Sequence, residues 1–350
     1  MPNRLNSFIM NILHFIGNGF DKNLGLPTSY PEFYAWYLAQ PSKSKIIQNL
    51  KSQLKADRDE NKNNWSDLEI WIGSYSSRWN NRDEVYEAYI DLNDSLKQYL
   101  QGVCELKSTE LPAYKKIFIS NLRQPFAALS RNNLRIVQSH AGTERPYNHR
   151  FITFNYTPSI ETLLGDIPYT RGSGHVIESN RASSPTVFIS TIRHIHGDFN
   201  SPELILGVND STQLANTTFR GDPTIESMLV KPVNTQLKED LVDEDCENLI
   251  KKSDVFSIYG CSMGKTDLKW WRLLFSQLLQ RECILICYIY SPVKPTRTTD
   301  NVMLNKTLTD TLRAHFLDLL SSEDNAESLT DQIMHRTIVL PHYNMFDFSK

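Results

Sequence analysis

Gly17-Asn18-Gly19-Phe20-Asp21 and, four residues on, Gly25-Leu26-Pro27-Thr28-Ser29-Tyr30 follow directly on the apolar run Ile12-Leu13-His14-Phe15-Ile16. The stretch closes on a helix-start signature: Ser29 as N-cap, Pro31 in the first turn and Glu32 three residues after the cap. A strand, a glycine-rich turn and a helix, in that order, predict the first unit of an α/β sheet. Two readings of the turn stand side by side. Glycines let backbone N–H groups approach an anion closely, and a helix N-terminus adds partial positive charge, so the stretch fits a nucleotide cradle. It also fits a plain βα turn, because G-x-G here lacks the third glycine of the dinucleotide fingerprint. The second sharp turn at Gly25–Tyr30 exceeds what a minimal βα connection needs.

Outward from this turn, apolar runs recur at about Asn11–Ile16, Phe151–Phe154, Val187–Ile195, Leu204–Leu206, Val255–Tyr259, Cys283–Tyr290 and Thr337–Leu340. Several are nearly continuous Val, Ile, Leu and Phe, as strands buried on both faces require. Helical segments separate most of them, which predicts a doubly wound, mostly parallel α/β sheet. From Tyr30 to about Arg131 the pattern is helical only. Segments are expected at Pro31–Ala39, Ile46–Leu54, Asp67–Ser76, Asp83–Leu106 and Ala113–Leu129, the last broken at Pro125. In the fourth, Val85, Tyr89, Leu92, Leu96, Tyr99 and Leu100 form one apolar stripe. The expected organisation is an α/β domain over residues 8–30 and 149–345, with a helical insertion over 31–148. Loops are expected at Asp57–Asn64 and Ala141–Asn148, and polar, mobile ones at Asn209–Thr224 and Ser291–Asn301.

Composition narrows the function classes. The 350 residues contain 40% hydrophobic side chains, enough for a sizeable core, and a net charge of -3, which gives no global attraction to nucleic acid or anionic membrane. No apolar run is long enough to span a bilayer. Met1–Ser7 is polar and leads straight into the first strand, so no signal peptide is expected. The five cysteines (Cys104, Cys246, Cys261, Cys283 and Cys287) contain no C-x-x-C pair. They read as buried thiols of a cytoplasmic protein rather than a disulfide frame or zinc site.

Three further strand ends carry polar motifs. Thr153-Phe154-Asn155-Tyr156-Thr157, with Glu161 beyond, puts Asn155 at a strand tip. It fits either a ligand contact or a polar helix-capping turn. His194-Ile195-His196-Gly197-Asp198 ends another strand. His196 fits a general base at the sheet tip or a structural histidine. H-x-H-x-D also resembles part of a metal site, but no further ligand lies close in sequence, so metal binding is not expected. Gly260-Cys261-Ser262-Met263-Gly264, with Asp267 following, matches the G-x-S-x-G nucleophile elbow, for which Asp310 and His335 are the available triad partners.

In this order the four motifs resemble the sirtuin-like superfamily and, more closely, the bacterial AbiH family of phage abortive-infection proteins. Trp65-Ser66-Asp67-Leu68-Glu69 resembles an additional AbiH motif, and the likeness spans roughly Ile12 to Trp271. The resemblance implies a Rossmann-like fold with NAD as substrate or ligand and no metal. It gives catalytic roles to Asn155 and His196. It implies that Gly17, Asn18, Gly19, Phe20 and Asp21, with Gly260, Ser262 and Asp267, hold the dinucleotide. Sirtuins usually carry Asp two residues after the catalytic Asn, where this chain has Thr157, and their four-cysteine zinc module is missing. The implied activity is NAD hydrolysis at the nicotinamide–ribose bond. The alternatives are a non-catalytic NAD or ADP-ribose sensor and a metal-dependent nuclease or hydrolase built on His194, His196 and Asp198. The partners left open are a small-molecule nucleotide, a phage-derived trigger and a second copy of the chain.

Overall fold

The computed structural model describes residues 9–62, 65–141, 146–170, 174–178, 186–237 and 241–348, so Met1–Ser7 lies outside the described residues. Six of the seven expected apolar runs are strands of one sheet. They are β1 (Met10–Ile16), β2 (Tyr147–Thr153), β5 (Val187–His194), β6 (Val255–Tyr259), β7 (Ile284–Ile289) and β8 (Thr337–Pro341). Two short strands that the sequence does not announce, β3 (Tyr169–Thr170) and β4 (Gly174–Glu178), extend the edge beside β5. The order is β3-β4-β5-β2-β1-β6-β7-β8. All pairs from β5 to β8 are parallel, and β3 and β4 run antiparallel.

Side-chain alternation explains the two layers on the sheet. Ile12 and Ile16 of β1 pack with Phe118, Phe151 and Phe346 on one face, while Leu13 and Phe15 pack with Trp271, Leu274 and Phe316 on the other. Both faces are therefore covered, as near-continuous apolar strands demand. All five cysteines are free thiols, and Cys246, Cys283 and Cys287 are buried. Among the described residues, no helix is long and apolar enough to cross a membrane.

Leu204–Leu206 is not a strand. Its backbone pairs with no strand: Leu204 N–H donates to Asn93 Oδ1 (3.0 Å), its carbonyl accepts from Asn93 Nδ2 (2.6 Å) and the Tyr89 hydroxyl (3.1 Å), and Ile205 N–H donates to His196 O (2.9 Å). An amide side chain and a turn carbonyl thus take the place of a neighbouring strand, and the leucines are buried against helices.

Between Tyr30 and Ala141 the described residues are helical, with no strand. Helices Tyr30–Ala39, Lys45–Asp59, Leu68–Tyr75 and Arg82–Val103 form one cluster with residues 204–230, and the whole stripe from Val85 to Leu100 is buried in it. The expected fifth helix stops at Arg123, two residues before Pro125, and a separate helix runs from Arg131 to Ala141. These two helices pack on the sheet through Phe118, Leu122 and Val137. The helical stretch therefore serves two layers: its first part forms a cap and its second part a sheet cover. The 209–224 loop contains short turns capped by Asp210 and Asn216, and it buries Leu214 and Phe219 in the cap.

Candidate functional site

Strand order reverses between β1 and β6, because β2 and β5 lie to one side of β1 and β6, β7 and β8 to the other. The connections after β1 and β6 lead to strands on opposite sides of the sheet, and the crevice at this place is where open α/β sheets bind ligands. A cavity of about 430 Å³ occupies it. Gly17, Asn18, Gly19, Asp21, Asn155, His196, Gly260, Ser262 and Asp267 all line it. Nine of the ten expected site residues therefore converge from four strand ends. Phe20 is the exception: it is fully buried in the sheet core, edge-on to Tyr259 and Phe346.

The glycines have a more specific cause than a phosphate cradle. Gly17 N–H donates to Tyr259 O (3.0 Å) and Gly19 N–H to Gly260 O (2.9 Å). A Cβ on Gly17 would lie 2.6 Å from Gly260 O, and one on Gly19 would lie 2.6 Å from Gly260 Cα. The turns after β1 and β6 are packed backbone to backbone, and Gly260 adopts a φ of +69°. These two N–H groups are thus committed to the neighbouring turn. Asn18 is held between the two halves of the opening motif: its amide donates to Thr28 O (3.2 Å) and its Oδ1 accepts from the Thr28 hydroxyl. The helix start is as expected, with Glu32 Oε2 accepting from the Ser29 N–H at 3.0 Å.

Three polar atoms in the cavity wall are buried and without a partner among the described residues: Asp21 Oδ1, Asn155 Oδ1 and His196 Nδ1. Buried polar atoms are normally satisfied, so three orphans on one cavity point to a ligand. Asp21 is held by the Thr157 hydroxyl, which donates to its Oδ2. Burial raises its carboxyl to about 6, against hydrogen bonds from Thr157, Ser159 and Asn155. The main chain of Asn155 is fixed on both sides. Its N–H donates to Thr153 Oγ (3.1 Å), and its carbonyl accepts from His194 Nδ1 (3.1 Å).

His196 Nε2 lies 2.9 Å from Asp267 Oδ1. Although burial opposes ionisation of Asp267, the charge of Lys231 and the hydrogen bonds from His196 and Lys231 hold its carboxyl far below the usual range. A carboxylate only accepts, so Nε2 carries the proton and Nδ1 is the basic nitrogen. Lys231 Nζ lies 2.9 Å from the same Asp267 oxygen and 2.7 Å from Glu69 Oε2. The Tyr156 hydroxyl donates to the other Glu69 oxygen at 3.0 Å.

Glu69, Tyr156 and Lys231 were not among the expected site residues. Glu69 belongs to the Trp65–Glu69 motif, whose Asp67 caps the helix by accepting from Glu69 N–H and Ile70 N–H (both 3.1 Å). The cap thereby delivers a carboxylate to the sheet tip. Lys231, in Val230-Lys231-Pro232, carries no local signal.

The other two chemistries do not assemble. His194 turns away from His196 toward Glu161 (3.1 Å), and Asp198 caps its own turn by accepting from Asn200 and Ser201 N–H groups. Among the described residues no three His, Cys, Asp or Glu side chains gather as metal ligands. Ser262 is exposed on the rim, and the φ of +53° falls on Met263 beside it rather than on the serine. The histidine at this turn is His315, whose Nε2 donates to the Met263 carbonyl (3.1 Å), while His335 borders a separate surface groove with Leu278 and Arg336.

The family model described as bacteriophage abortive infection AbiH matches residues 13–289, a span that holds all four strand tips and the Glu69 helix. The chain belongs to the AbiH family. Membership implies a part in abortive-infection defence against phage. A comparison with curated proteins found no significant match. In this AbiH chain the matched span takes in Lys231 but ends with β7, so β8 and the C-terminal aromatics Phe346 and Phe348 lie beyond it.

Proposed function

We propose that this AbiH protein acts in phage defence by binding NAD+ in the crevice and hydrolysing its nicotinamide–ribose bond. The observation that carries this reading is the meeting of Asn155 Oδ1, His196 Nδ1 and Asp21 Oδ1, all buried and unpartnered, on one cavity at the reversal of strand order. The sheet order, two-sided helical cover and site position support the Rossmann-like, sirtuin-like relationship implied by the motifs.

The chemistry needs few groups. The C–N bond to ribose breaks with nicotinamide leaving as a neutral base, and positive charge develops on the ribose in an oxocarbenium-like state. A water attacks C1′, and its proton passes to His196 Nδ1. Asn155 Oδ1 orients that water or a ribose hydroxyl. The carboxylates of Asp267 and Glu69, set behind His196, favour the developing cation. Asp21, bonded to the Thr157 hydroxyl, sets a carboxyl beside the position at which the resemblance has the Asp of sirtuins. Since Gly17 and Gly19 N–H groups are committed, the rim residues Lys22 and Ser262 remain for the pyrophosphate.

A sensor is the second reading, and the Lys231 bridge from Glu69 of the cap to Asp267 of the strand tip favours it, because pocket occupancy would then reach the cap. Calorimetry with NAD+ and ADP-ribose, run beside chromatographic assay of nicotinamide, separates the two. Binding with nicotinamide release that is lost in Asn155→Ala and His196→Ala supports hydrolysis. Tight binding without release supports the sensor, and no binding overturns both.

A further inference from the structure

Four ionisable side chains from four separate segments meet at the cavity wall, three of them lining it and Lys231 behind them. Glu69 comes from the helix Leu68–Tyr75, His196 from the turn after β5, Asp267 from the turn after β6, and Lys231 opens the helix Lys231–Leu237. Lys231 is 4% exposed, and its main chain is anchored by donation from its N–H to Val208 O (2.9 Å). Its ammonium sits 2.7 Å from Glu69, 2.9 Å from Asp267 and 3.4 Å from His196 Nε2.

This spacing determines how the charge is shared. Asp267 Oδ1 receives both Lys231 Nζ and His196 Nε2. With Lys231 present, one of the two carboxylate charges is matched by a cation that is not the imidazole, and that cation lies close enough to His196 to repel further positive charge from the ring. Without it, Asp267 and Glu69 would face His196 as the nearest basic group, and the ring would take a second proton on Nδ1. Further ionisable groups face the cluster: the Tyr156 phenol, whose ring centroid is 6.3 Å from that of His196, Tyr30 beside Glu69 and Tyr156, Cys261 beside Asp267, and Asp67, which acts on Lys231 and Asp267 through charge alone.

We propose that Lys231 is a positioning residue whose ammonium keeps His196 Nδ1 free of a proton, the state in which it can act as a base. Because Glu69 belongs to the cap, the same ion pair ties the readiness of His196 to the seating of that helix. The proposal rests on reading His196 as the base, but its first test needs no turnover.

The test is an NMR titration of histidine-labelled wild type, Lys231→Met, Lys231→Arg and Glu69→Gln, with folding checked by circular dichroism. In Lys231→Met the midpoint for His196 moves up by about one pH unit or more, and Lys231→Arg stays near wild type. Glu69→Gln moves the midpoint down, because it removes a negative charge while keeping Lys231. Opposite shifts are not what a merely structural role produces. Where nicotinamide release is measurable, Lys231→Met loses about tenfold for each unit of that shift at pH values below both midpoints and recovers at higher pH. A folded Lys231→Met with an unmoved His196 midpoint overturns the proposal. If Lys231→Met does not fold, Glu69→Gln decides it: a downward shift supports it, and an unmoved or raised midpoint overturns it. A shifted midpoint in a protein that releases no nicotinamide upholds the charge assignment and sinks the hydrolase reading alone.

Discussion

Two buried histidine sites in this protein share the same sheet and differ in what surrounds them. His14 on β1 and His149 on β2 sit mid-strand, where His149 Nε2 donates to Leu122 O (2.9 Å) and His149 Nδ1 accepts from His14 Nε2 (2.8 Å). His14 also stacks on Phe151 at 4.7 Å. At the strand tip, His196 is bonded to a carboxylate and backed by an ammonium. Both sites leave one nitrogen unpartnered, His14 Nδ1 and His196 Nδ1. An orphan nitrogen is therefore not enough to mark a functional site. The His14 orphan lies in packed apolar core, whereas that of His196 shares a cavity wall with Asp21 and Asn155.

Replacing His196 gives the largest expected effect. His196→Ala should lower nicotinamide release by about 10²- to 10⁴-fold, with far-UV circular dichroism unchanged. His149→Gln, whose amide still donates to the Leu122 carbonyl, should leave release within a few-fold. Equal losses from the two variants would erase the distinction between core and tip.

The turn contact is next. Gly19→Ala drives a Cβ onto the Gly260 backbone, with no flexible side chain to yield. A loss of about 2–4 kcal/mol in urea unfolding is expected. A loss under about 0.5 kcal/mol would show that the turns after β1 and β6 are not locked together.

Acid separates the sites further. Burial lowers His149 to about 4, and burial with the nearby His149 lowers His14 well below its usual value. Below the unfolded histidine value of about 6.5 the unfolded chain binds more protons than the folded one, so stability falls as pH drops toward 4. The His149 share is about 3 kcal/mol. Denaturant titrations from pH 7 to 4 should show this slope, flattened in His149→Gln; an unchanged slope would rule out the pair as its source.

Asp21 pulls the other way in part of that window and gives the smallest shift. Its folded carboxyl titrates near 6, above the unfolded value of 3.8. The folded chain therefore holds the extra proton, and stability from this group is lost as pH rises through 6, by at most about 3 kcal/mol. Asp21→Asn should thus gain stability relative to wild type at pH 8 compared with pH 4 while losing NAD+ binding. A constant difference across pH would mean that the carboxyl is not held protonated by burial.

The sequence carried the parallel sheet well, because strands covered on both faces leave near-continuous apolar runs such as Cys283–Tyr290. It carried the strand tips for the same reason: Gly17, Asn155, His196 and Gly260 each end such a run. Leu204–Leu206 misled because it has a strand's composition, while Leu204 is paired by the side chain of Asn93 and Ile205 by the turn carbonyl of His196. β3 is only two residues long, and β4, Gly174–Glu178, offers only Val176 and Ile177 as an apolar run. Glu69 and Lys231 reach the site from helices 162 positions apart in the chain, and only their ion pair in the folded molecule brings them together. Phe20 sits beside two cavity residues in sequence, yet the short helix Gly19–Asn23 turns it into the core while Asp21 faces the crevice.

The most direct test of the account is the product balance of purified protein incubated with NAD+ at neutral pH. Wild type should yield nicotinamide and ADP-ribose in equal amounts, and a folded His196→Ala neither. NAD+ returned intact by wild type, or cleaved equally by both proteins, would contradict it.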